Sequence, residues 1–530
     1  LEITQAVLTG NVRDTARLVP GQAAREDAAA MNIVILGAGR VGESVAESLA
    51  SEANDITVID TDPARLAQLQ DRLDLKGVAG NGIQPSVLRD AGIADADLFI
   101  ACAQMDESNL VACKVARQLF NVPTTIARLR SPEFQEGSPL TTEREGFGVD
   151  RVICPEQSVM RSIWQLIRYP EALQVLELAQ GRLSLVAVRA VAGSPLVRHR
   201  LDEIPHLVPQ ADMRIVAIYR QDKPVADVCG STCIEPGDEV FVLSDTQHLR
   251  GVLGALRERD RPVRRVMIAG GGRVGLRLAR QLNGEVQVKI LEVSRTRCDY
   301  LATQLPGDVL VLNGDSTDEE LMGDENVQDM DLFLALTSDD EDNIMACLLA
   351  KRMGARHVLA LINRKAYADL VQGTTIDIAL SPAQAVIGEL LAHVRWGNVE
   401  AVHSLRHGTA EVLEAVVSGD AATSRLVGRR IGQIPLPQGA QIGAVVRGLA
   451  DAHEAAQELP EGRDKRSRNG GGLALRRRSA AAEIEVAAAQ IVIAHHDTEV
   501  RAGDHLIVFL PNKKQVREVQ KLFQVSPLFL

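Results

Sequence analysis

The sequence predicts an α/β protein: two doubly wound parallel sheets, each followed by a small α+β module. Three observations carry this. A glycine-rich loop lies between a strand-sized apolar run and a helix, and it occurs twice. The rest of the chain repeats around that loop in near-constant register. Aromatic residues are only 3% against 46% hydrophobic. The cores must therefore be built from Ile, Leu, Val and Ala, the mix of parallel strands covered on both faces.

The repeat is the strongest of these. Gly37-Ala38-Gly39-Arg40-Val41-Gly42 recurs as Gly270-Gly271-Gly272-Arg273-Val274-Gly275. Asp97-Leu98-Phe99-Ile100-Ala101 recurs as Asp331-Leu332-Phe333-Leu334-Ala335, and Asp106-Glu107-Ser108-Asn109 as Asp340-Glu341-Asp342-Asn343. The offset is 233, then 234. Downstream, Gly193–Val197 resembles Thr423–Val427, and each series closes on a strand after Gly-Asp, at Gly237-Asp238 and Gly503-Asp504. The expected order is a nucleotide-type domain at 31–153, a small module at 173–257, a second nucleotide-type domain at 262–382 and a second small module at 402–514. Thr246–Asp260 reads as a helix, and Arg261–Arg265 as the link between halves.

The 530 residues suit three to five domains. A net charge of −12 argues against a general nucleic-acid coat or polybasic membrane binder. No window approaches the ~18 consecutive apolar residues of a spanning helix. Seven cysteines, an odd number mostly within apolar segments, read as reduced and buried. Cys229 and Cys233 form a CxxxC with no second pair nearby. Residues 1–30 lack periodicity and are expected to be a disordered extension before Met31. Residues 449–490 hold Arg-rich, Gly-rich and Ala-rich tracts and are expected to be a disordered insertion, with a basic patch as the sharper alternative.

Each glycine loop has the G-x-G-x-x-G spacing. Gly37 and Gly270 permit a tight turn, Gly39 and Gly272 let a pyrophosphate approach, and Gly42 and Gly275 let helix and strand pack. Phosphate is drawn to the free N–H groups at the helix start. A second strand, Ile56–Ile59, ends at Asp60; its counterpart, Val286–Leu291, ends at Glu292. An acidic residue there accepts hydrogen bonds from ribose hydroxyls; taken alone, Asp60 is a helix cap for Pro63–Leu73. Gly80-Asn81-Gly82 and Asn313-Gly314-Asp315 follow third strands, and Ala101–Gln104 and Ala335–Ser338 end fourth strands. The first pair lies near the crevice or forms plain turns; the second lies at the crevice. Arg128, after Thr125–Ala127, reaches phosphate, a neighbouring chain or a surface ion pair. Asp339–Asp342 favours a helix N-terminus over a cation site. His495-His496-Asp497 reads as a turn more than a metal site. Trp164 and Trp396 read as packing residues of helical connectors Glu156–Arg168 and Gln384–Arg395.

Further segments complete a resemblance: Ile33-Val34-Ile35-Leu36, Ile56-Thr57-Val58-Ile59-Asp60, Ala127-Arg128, Asn343-Ile344-Met345, Leu349–Ala355, Asp369–Gly373, Ile442–Gly448 and Ser526–Leu530. From Met31 to the end, outside 449–490, the chain resembles the TrkA family of tandem RCK (regulator of potassium conductance) proteins. The resemblance implies a cytosolic, ring-forming regulatory subunit, a homotetramer, on the inner face of the cell membrane. It implies no enzyme activity, a TrkH/TrkG-type potassium-translocating partner, and NAD(H) or ATP/ADP as ligand. Carried onto matching positions, the ligand residues are Gly37, Ala38, Gly39, Arg40, Val41, Asp60, Asn81, Ala103, Gln104 and Arg128. In the second copy they are Gly270, Gly271, Gly272, Arg273, Val274 and Glu292. Two rival readings are an NAD-dependent oxidoreductase, for which no acid–base group is placed by a motif, and a redox-sensing transcription factor, for which no basic reading helix is evident.

Overall fold

A computed structural model describes residues 31–525, except 51–53, 132–133, 135–140, 142–145, 210–211, 222, 226–227, 258–260, 372–375, 395–398, 407–408 and 450–489. The expected extension, nearly all of the expected insertion, and Trp396 lie outside the described residues.

The first sheet has the order β3-β2-β1-β4-β5-β6. Its strands are β1 (Asn32–Leu36), β2 (Asp55–Asp60), β3 (Lys76–Ala79), β4 (Leu98–Ala101), β5 (Thr124–Arg128) and β6 (Arg151–Ile153). The next sheet is antiparallel, with β7 (Ala172–Leu178), β8 (Leu183–Arg189), β9 (Met213–Arg220), β10 (Lys223–Pro224) and β11 (Glu239–Asp245) in the order β10-β9-β11-β8-β7. The second parallel sheet repeats the first as β14-β13-β12-β15-β16-β17. It comprises β12 (Arg265–Ala269), β13 (Gln287–Glu292), β14 (Leu310–Asn313), β15 (Leu332–Ala335), β16 (His357–Leu361) and β17 (Ile378–Leu380). The last sheet holds β18 (Val399–Leu405), β19 (Ala410–Val416), β20 (Gln441–Arg447), β21 (Gln490–Ile493) and β22 (His505–Leu510), ordered β18-β19-β22-β20-β21. That is the connectivity of the first antiparallel sheet, with β20 joined to β21 across the inserted residues. The predicted α/β class, with two Rossmann-like sheets and two small modules, is therefore observed.

The strands form where buried β-branched residues run together. β1 exchanges parallel registers with β2 and β4, pairing Ile33 with Ile56 and Leu98. One face of the sheet buries Ile33, Ile35, Val58 and Ile100 under Val45, Ala46 and Leu49 of helix Arg40–Ala50 and Leu66 and Leu69 of helix Pro63–Gln70. The rest of that face, beside β6, is covered by Val386, Leu390 and Leu391, all from helix Pro382–Val394 of the second copy. The first copy returns the arrangement. Val159, Ile163, Leu166 and Ile167 of helix Pro155–Arg168 pack on Val266, Ile268 and Ile290 of the second parallel sheet, with Trp164 beside them. Each helix after a parallel sheet thus closes the core of the other copy. The two helices also touch, with Ser158 Oγ donating to Glu389 Oε1 at 2.8 Å.

The small modules pair in the same spirit. Helix Leu249–Leu256 covers one face of the β7–β11 sheet, and helix Val516–Phe523 one face of the β18–β22 sheet. The opposite faces meet in a single core containing Leu185, Ala187, Phe241, Leu243, Val412, Val446, Ile507 and Phe509. Phe241 packs on Tyr219 with ring centroids 5.6 Å apart and on Phe509 at 6.4 Å. Around this seam, the Arg406 guanidinium pairs with Glu239 and lies 4.1 Å from the Tyr219 ring centroid. Glu414 Oε2 accepts the Ala179 amide at 3.0 Å.

The shared seam predicts that Phe241→Ala lowers global stability by about 3–5 kcal/mol, the usual cost of a buried aromatic truncation. Denaturant titration of the full chain measures this. A loss confined to one half of the chain would show that the two sheets do not depend on one another.

Candidate nucleotide-binding crevices

In each parallel sheet the strand order reverses between the first and fourth strands, and the carboxyl ends there flank a crevice. The glycine loop fills one wall. Gly37 has φ of +103°, and its amide donates to Ile59 O at 2.7 Å, tying the loop to β2. A Cβ on Gly42 would stand 1.9 Å from Gly37 O, so helix and turn approach as only glycine allows. A Cβ on Gly39 would meet nothing within 4 Å, because that backbone faces the open crevice. The second copy repeats this: Gly270 has φ of +103° and its amide donates to Leu291 O at 2.8 Å, a Cβ on Gly275 would stand 2.2 Å from Gly270 O, and a Cβ on Gly272 would meet nothing within 4 Å.

The apolar positions Val45, Ala46, Leu49 and Ala50 predict a helix from Glu43, but the helices begin earlier. They start at Arg40 and Arg273, with Glu43 N bonding Gly39 O at 2.8 Å and Leu276 N bonding Gly272 O at 3.0 Å. The first-turn amides thus lie inside the glycine motif, next to the crevice. Arg40 and Arg273 are exposed there, Ala38, Val41 and Gly271 are buried, and Val274 is half-buried.

Asp60 is the last residue of β2, and it is not a helix cap. Asp62 caps the following helix, accepting from Ala64 N at 2.9 Å. The Asp60 carboxylate instead accepts Ala38 N at 2.6 Å and Asp62 N at 2.8 Å. Glu292 does the same work, accepting Gly271 N at 2.8 Å and Ser294 N at 2.9 Å. Each carboxylate therefore locks the glycine loop to the second strand. A carboxylate offers about four lone-pair sites, so acceptor capacity remains for ribose hydroxyls.

On the opposite wall, Asn109 and Asn343 were legible only as repeated letters. Asn109 Oδ1 accepts Ala103 N at 2.8 Å, and its Nδ2 donates to Arg128 O at 2.8 Å, stitching the ends of β4 and β5 together. Asn343 does the same between Thr337 N, at 2.9 Å, and Leu361 O, at 2.8 Å. Both asparagines are fully buried. Gln104 is exposed beside this wall. Asp339 caps helix Asp340–Met353, accepting Asp342 N at 3.0 Å, as the acidic run suggested. No three-membered cluster of metal-ligating side chains occurs among the described residues. His495–Asp497 follows β21 as a turn.

Hydrogen bonds correct one detail of the repeat. Gly80 N bonds Asp60 O at 2.9 Å and Gly314 N bonds Glu292 O at 3.1 Å, so Gly80 matches Gly314. Asn81 then matches Asp315. Both side chains accept the amide two residues on, at Ile83 (3.1 Å) and Thr317 (2.8 Å). Asn313 closes β14 instead of forming the turn.

Pairing of β5 with β4 and of β16 with β15 exposes a chemical difference between the copies. Arg128, at the end of β5, is half-buried, and its Nε has no hydrogen-bond partner. Its counterpart is Leu361, an apolar side chain buried in the core. The second crevice instead has Arg297, whose Nε donates to Gly271 O at 2.7 Å and whose guanidinium lies 4.8 Å from the Tyr300 ring centroid. Burial, and then the nearby guanidiniums of Arg128 and Arg273, push Arg130 down. Cationic groups of both copies are thus concentrated where their nucleotide-type domains meet, and Arg277 there donates to Arg130 O. Below the first loop, burial pushes the Cys102 thiol up to about 12, so it is a packing group and no nucleophile.

Comparison with known proteins agrees with this geometry. The TrkA-N domain family matches residues 33–155 and 266–382, and the TrkA-C domain family matches 185–255. The Trk system potassium uptake protein TrkA of Halomonas elongata is 46% identical over 94% of this chain and all of its own length. The protein of the same description from Vibrio alginolyticus is 43% identical over 94% of this chain and, again, its whole length. The chain belongs to the TrkA family. Among solved structures, the GsuK RCK domain superposes with a TM-score of 0.53 at 17% identity, covering 94% of this chain and 96% of that one. The GsuK channel gives 0.55 at 18%, covering 94% of this chain and 79% of that one. At those identities the likeness is one of fold.

The two glycines of one loop separate stability from binding. Gly42→Ala forces a methyl against Gly37 O and is expected to cost at least the ~1–3 kcal/mol of overpacking, read as a lower thermal midpoint. Gly39→Ala is expected to leave that midpoint unchanged while weakening nucleotide binding, read by calorimetric titration.

Proposed function

We propose that this chain is the nucleotide-sensing regulatory subunit of a potassium uptake system. It binds NAD(H), ADP or ATP in its glycine crevices and controls a potassium-translocating membrane partner of the TrkH/TrkG type from the inner face of the cell membrane. The observation that carries this is the coincidence of full-length similarity to proteins named for Trk potassium uptake with two crevices whose loops, carboxylates and opposite walls are complete. No helix among the described residues is long and apolar enough to cross a membrane, so the translocation path is assigned to a partner.

The residues present fit a nucleotide. Gly37, Ala38, Gly39, Arg40 and Val41, with Gly270, Gly271, Gly272, Arg273 and Val274, would hold phosphate through the loop and first-turn amides. Asp60 and Glu292 would hold ribose. Asn81, Ala103 and Gln104 would line the first crevice, and the unpartnered Arg128 Nε would pair with phosphate oxygen. The nucleotide brings charge and a measure of cellular energy or redox state; the protein's task is to bind it differently in two conformations. Shifting a gate from mostly closed to mostly open takes roughly 5.5 kcal/mol of differential binding, a demand that several crevices in one assembly can share.

Self-association supplies those crevices. Val111, Val115 and Leu119 lie at four-residue spacing on helix Asp106–Phe120, with Val111 and Leu119 37% and 62% exposed. The second copy places Met345, Leu349 and Met353 at the matching positions, Met345 being 57% exposed. The occupant proposed for these stripes is another copy of this chain. A stripe from one repeat can meet its counterpart from the other, and that heterologous contact closes into a ring; four chains is the proposed number.

Three outcomes are expected. In liposomes holding the membrane partner, the Asp60→Ala/Glu292→Ala protein loses nucleotide-dependent potassium flux; an unchanged response would sink the regulatory reading. Arg128→Ile weakens ADP or NADH binding about tenfold or more, the worth of a charged hydrogen bond, with adenosine little affected in the same titration. Leu119→Asp combined with Met345→Asp reduces the assembly seen by light scattering while changing the unfolding free energy of the chain by no more than ~0.5 kcal/mol, the range of surface substitutions.

A further inference from the structure

Of the seven cysteines, four are buried and Cys154 is half-buried; only Cys229 and Cys233 are exposed. Cys229 opens a turn that Thr232 closes, and Cys233 is the next residue, bridged to Arg200. Thr232 N bonds Cys229 O at 2.9 Å, and Cys229 N bonds Thr232 Oγ1 at 3.0 Å, so Cys229 and Thr232 face each other and Cys233 follows directly. The turn is pinned from behind. Asp202 N bonds Gly230 O at 2.9 Å, Leu201 N bonds Thr232 O at 3.0 Å, and Arg198 N bonds Ile234 O at 2.7 Å. Ile234 is anchored in the core of the first small module. Arg220 Nη2 donates to Cys233 O at 3.1 Å.

The two thiols have different surroundings. The Cys229 sulfur lies 3.2 Å from Ser231 Oγ and 3.7 Å from Thr232 Oγ1. Hydrogen bonds from these hydroxyls push its thiol down from the ordinary value, favouring the thiolate, which is the reactive form. Cys233 has no such pair of hydroxyls and sits between Arg200 and Arg220, whose guanidiniums are held by Asp202 and Asp238.

We propose that Cys229 and Cys233 form a peroxide-oxidisable dithiol, with Cys229 as the attacking sulfur and Cys233 as the resolving one. The Cys229 thiolate attacks the terminal oxygen of a hydroperoxide. An S–O bond forms, the O–O bond breaks, and the departing oxygen takes a proton and leaves as water or an alcohol. The Cys233 sulfur then attacks the sulfenic sulfur; an S–S bond forms, the S–O bond breaks, and hydroxide leaves with the Cys233 proton as water. Two thiols are oxidised by two electrons and one peroxide is reduced. A small-molecule dithiol reverses the change. The turn borders the other small module: Val228 O, one residue before Cys229, accepts Gln441 Nε2 of β20 at 3.5 Å. Closing the turn covalently therefore acts at the contact between the two copies.

The test uses the full-length chain, hydrogen peroxide and mass spectrometry of the peptide spanning both residues. The expected result is a 2-hydrogen mass loss, joint protection from iodoacetamide, and reversal by dithiothreitol. Cys229→Ser is expected to abolish rapid oxidation. Cys233→Ser is expected to let dimedone trap a sulfenic acid at Cys229. Oxidation of Cys229 no faster than that of Cys233, or overoxidation of both without an intramolecular disulfide, would overturn the proposal.

Discussion

The structure depends on the exchange of two helices. A six-stranded parallel sheet has more apolar area on one face than its own first two helices can cover. In each copy the uncovered half, toward the fourth to sixth strands, is closed by the helix that leaves the other copy. Val386, Leu390 and Leu391 seal the first sheet, and Val159, Ile163 and Leu166 the second. Neither parallel domain has a complete core without its sister. The duplication is thus a structural requirement as well as a sequence pattern.

That exchange places function at the joints. Each swapped helix leads straight into the first strand of a small module, Ala172–Leu178 or Val399–Leu405. The two small sheets then fuse through Phe241, Phe509 and their neighbours. A change at either glycine loop is felt by helix Arg40–Ala50 or Arg273–Leu282, and each of these touches a swapped helix. Packed interiors transmit such displacement because they have few voids to absorb it. Arg128, Arg130 and Arg273 gather between the copies, where Glu156 pairs with Arg130 at 3.7 Å and offsets part of their mutual repulsion.

Much of the crevice was legible in the sequence because its chemistry is local. Gly37, Gly39 and Gly42 lie within six residues of one loop, and Asp60 lies at the fixed reach of one strand and one helix. The parts that were not legible join distant segments. Asn109 and Asn343 read only as repeated letters, yet each ties the fourth strand to the fifth. Arg128 and Leu361 look unrelated until the strand pairing, and the Asn109 and Asn343 amides that donate to their carbonyls, put them at the same position. The helix starts at Arg40 and Arg273 were hidden by the glycines themselves, which carry no apolar signal even where they are helical.

The sequence by itself determined the α/β class, the two glycine loops with their terminal carboxylates, and the two-fold internal repeat. Those follow from short-range periodicity and from glycine's freedom to turn and to pack closely. The tertiary structure decided which copy covers which sheet, that the small modules share one core, and that the crevices differ at Arg128 and Leu361. Those are consequences of burying apolar faces between segments more than 200 residues apart, and no local pattern records which face will meet which.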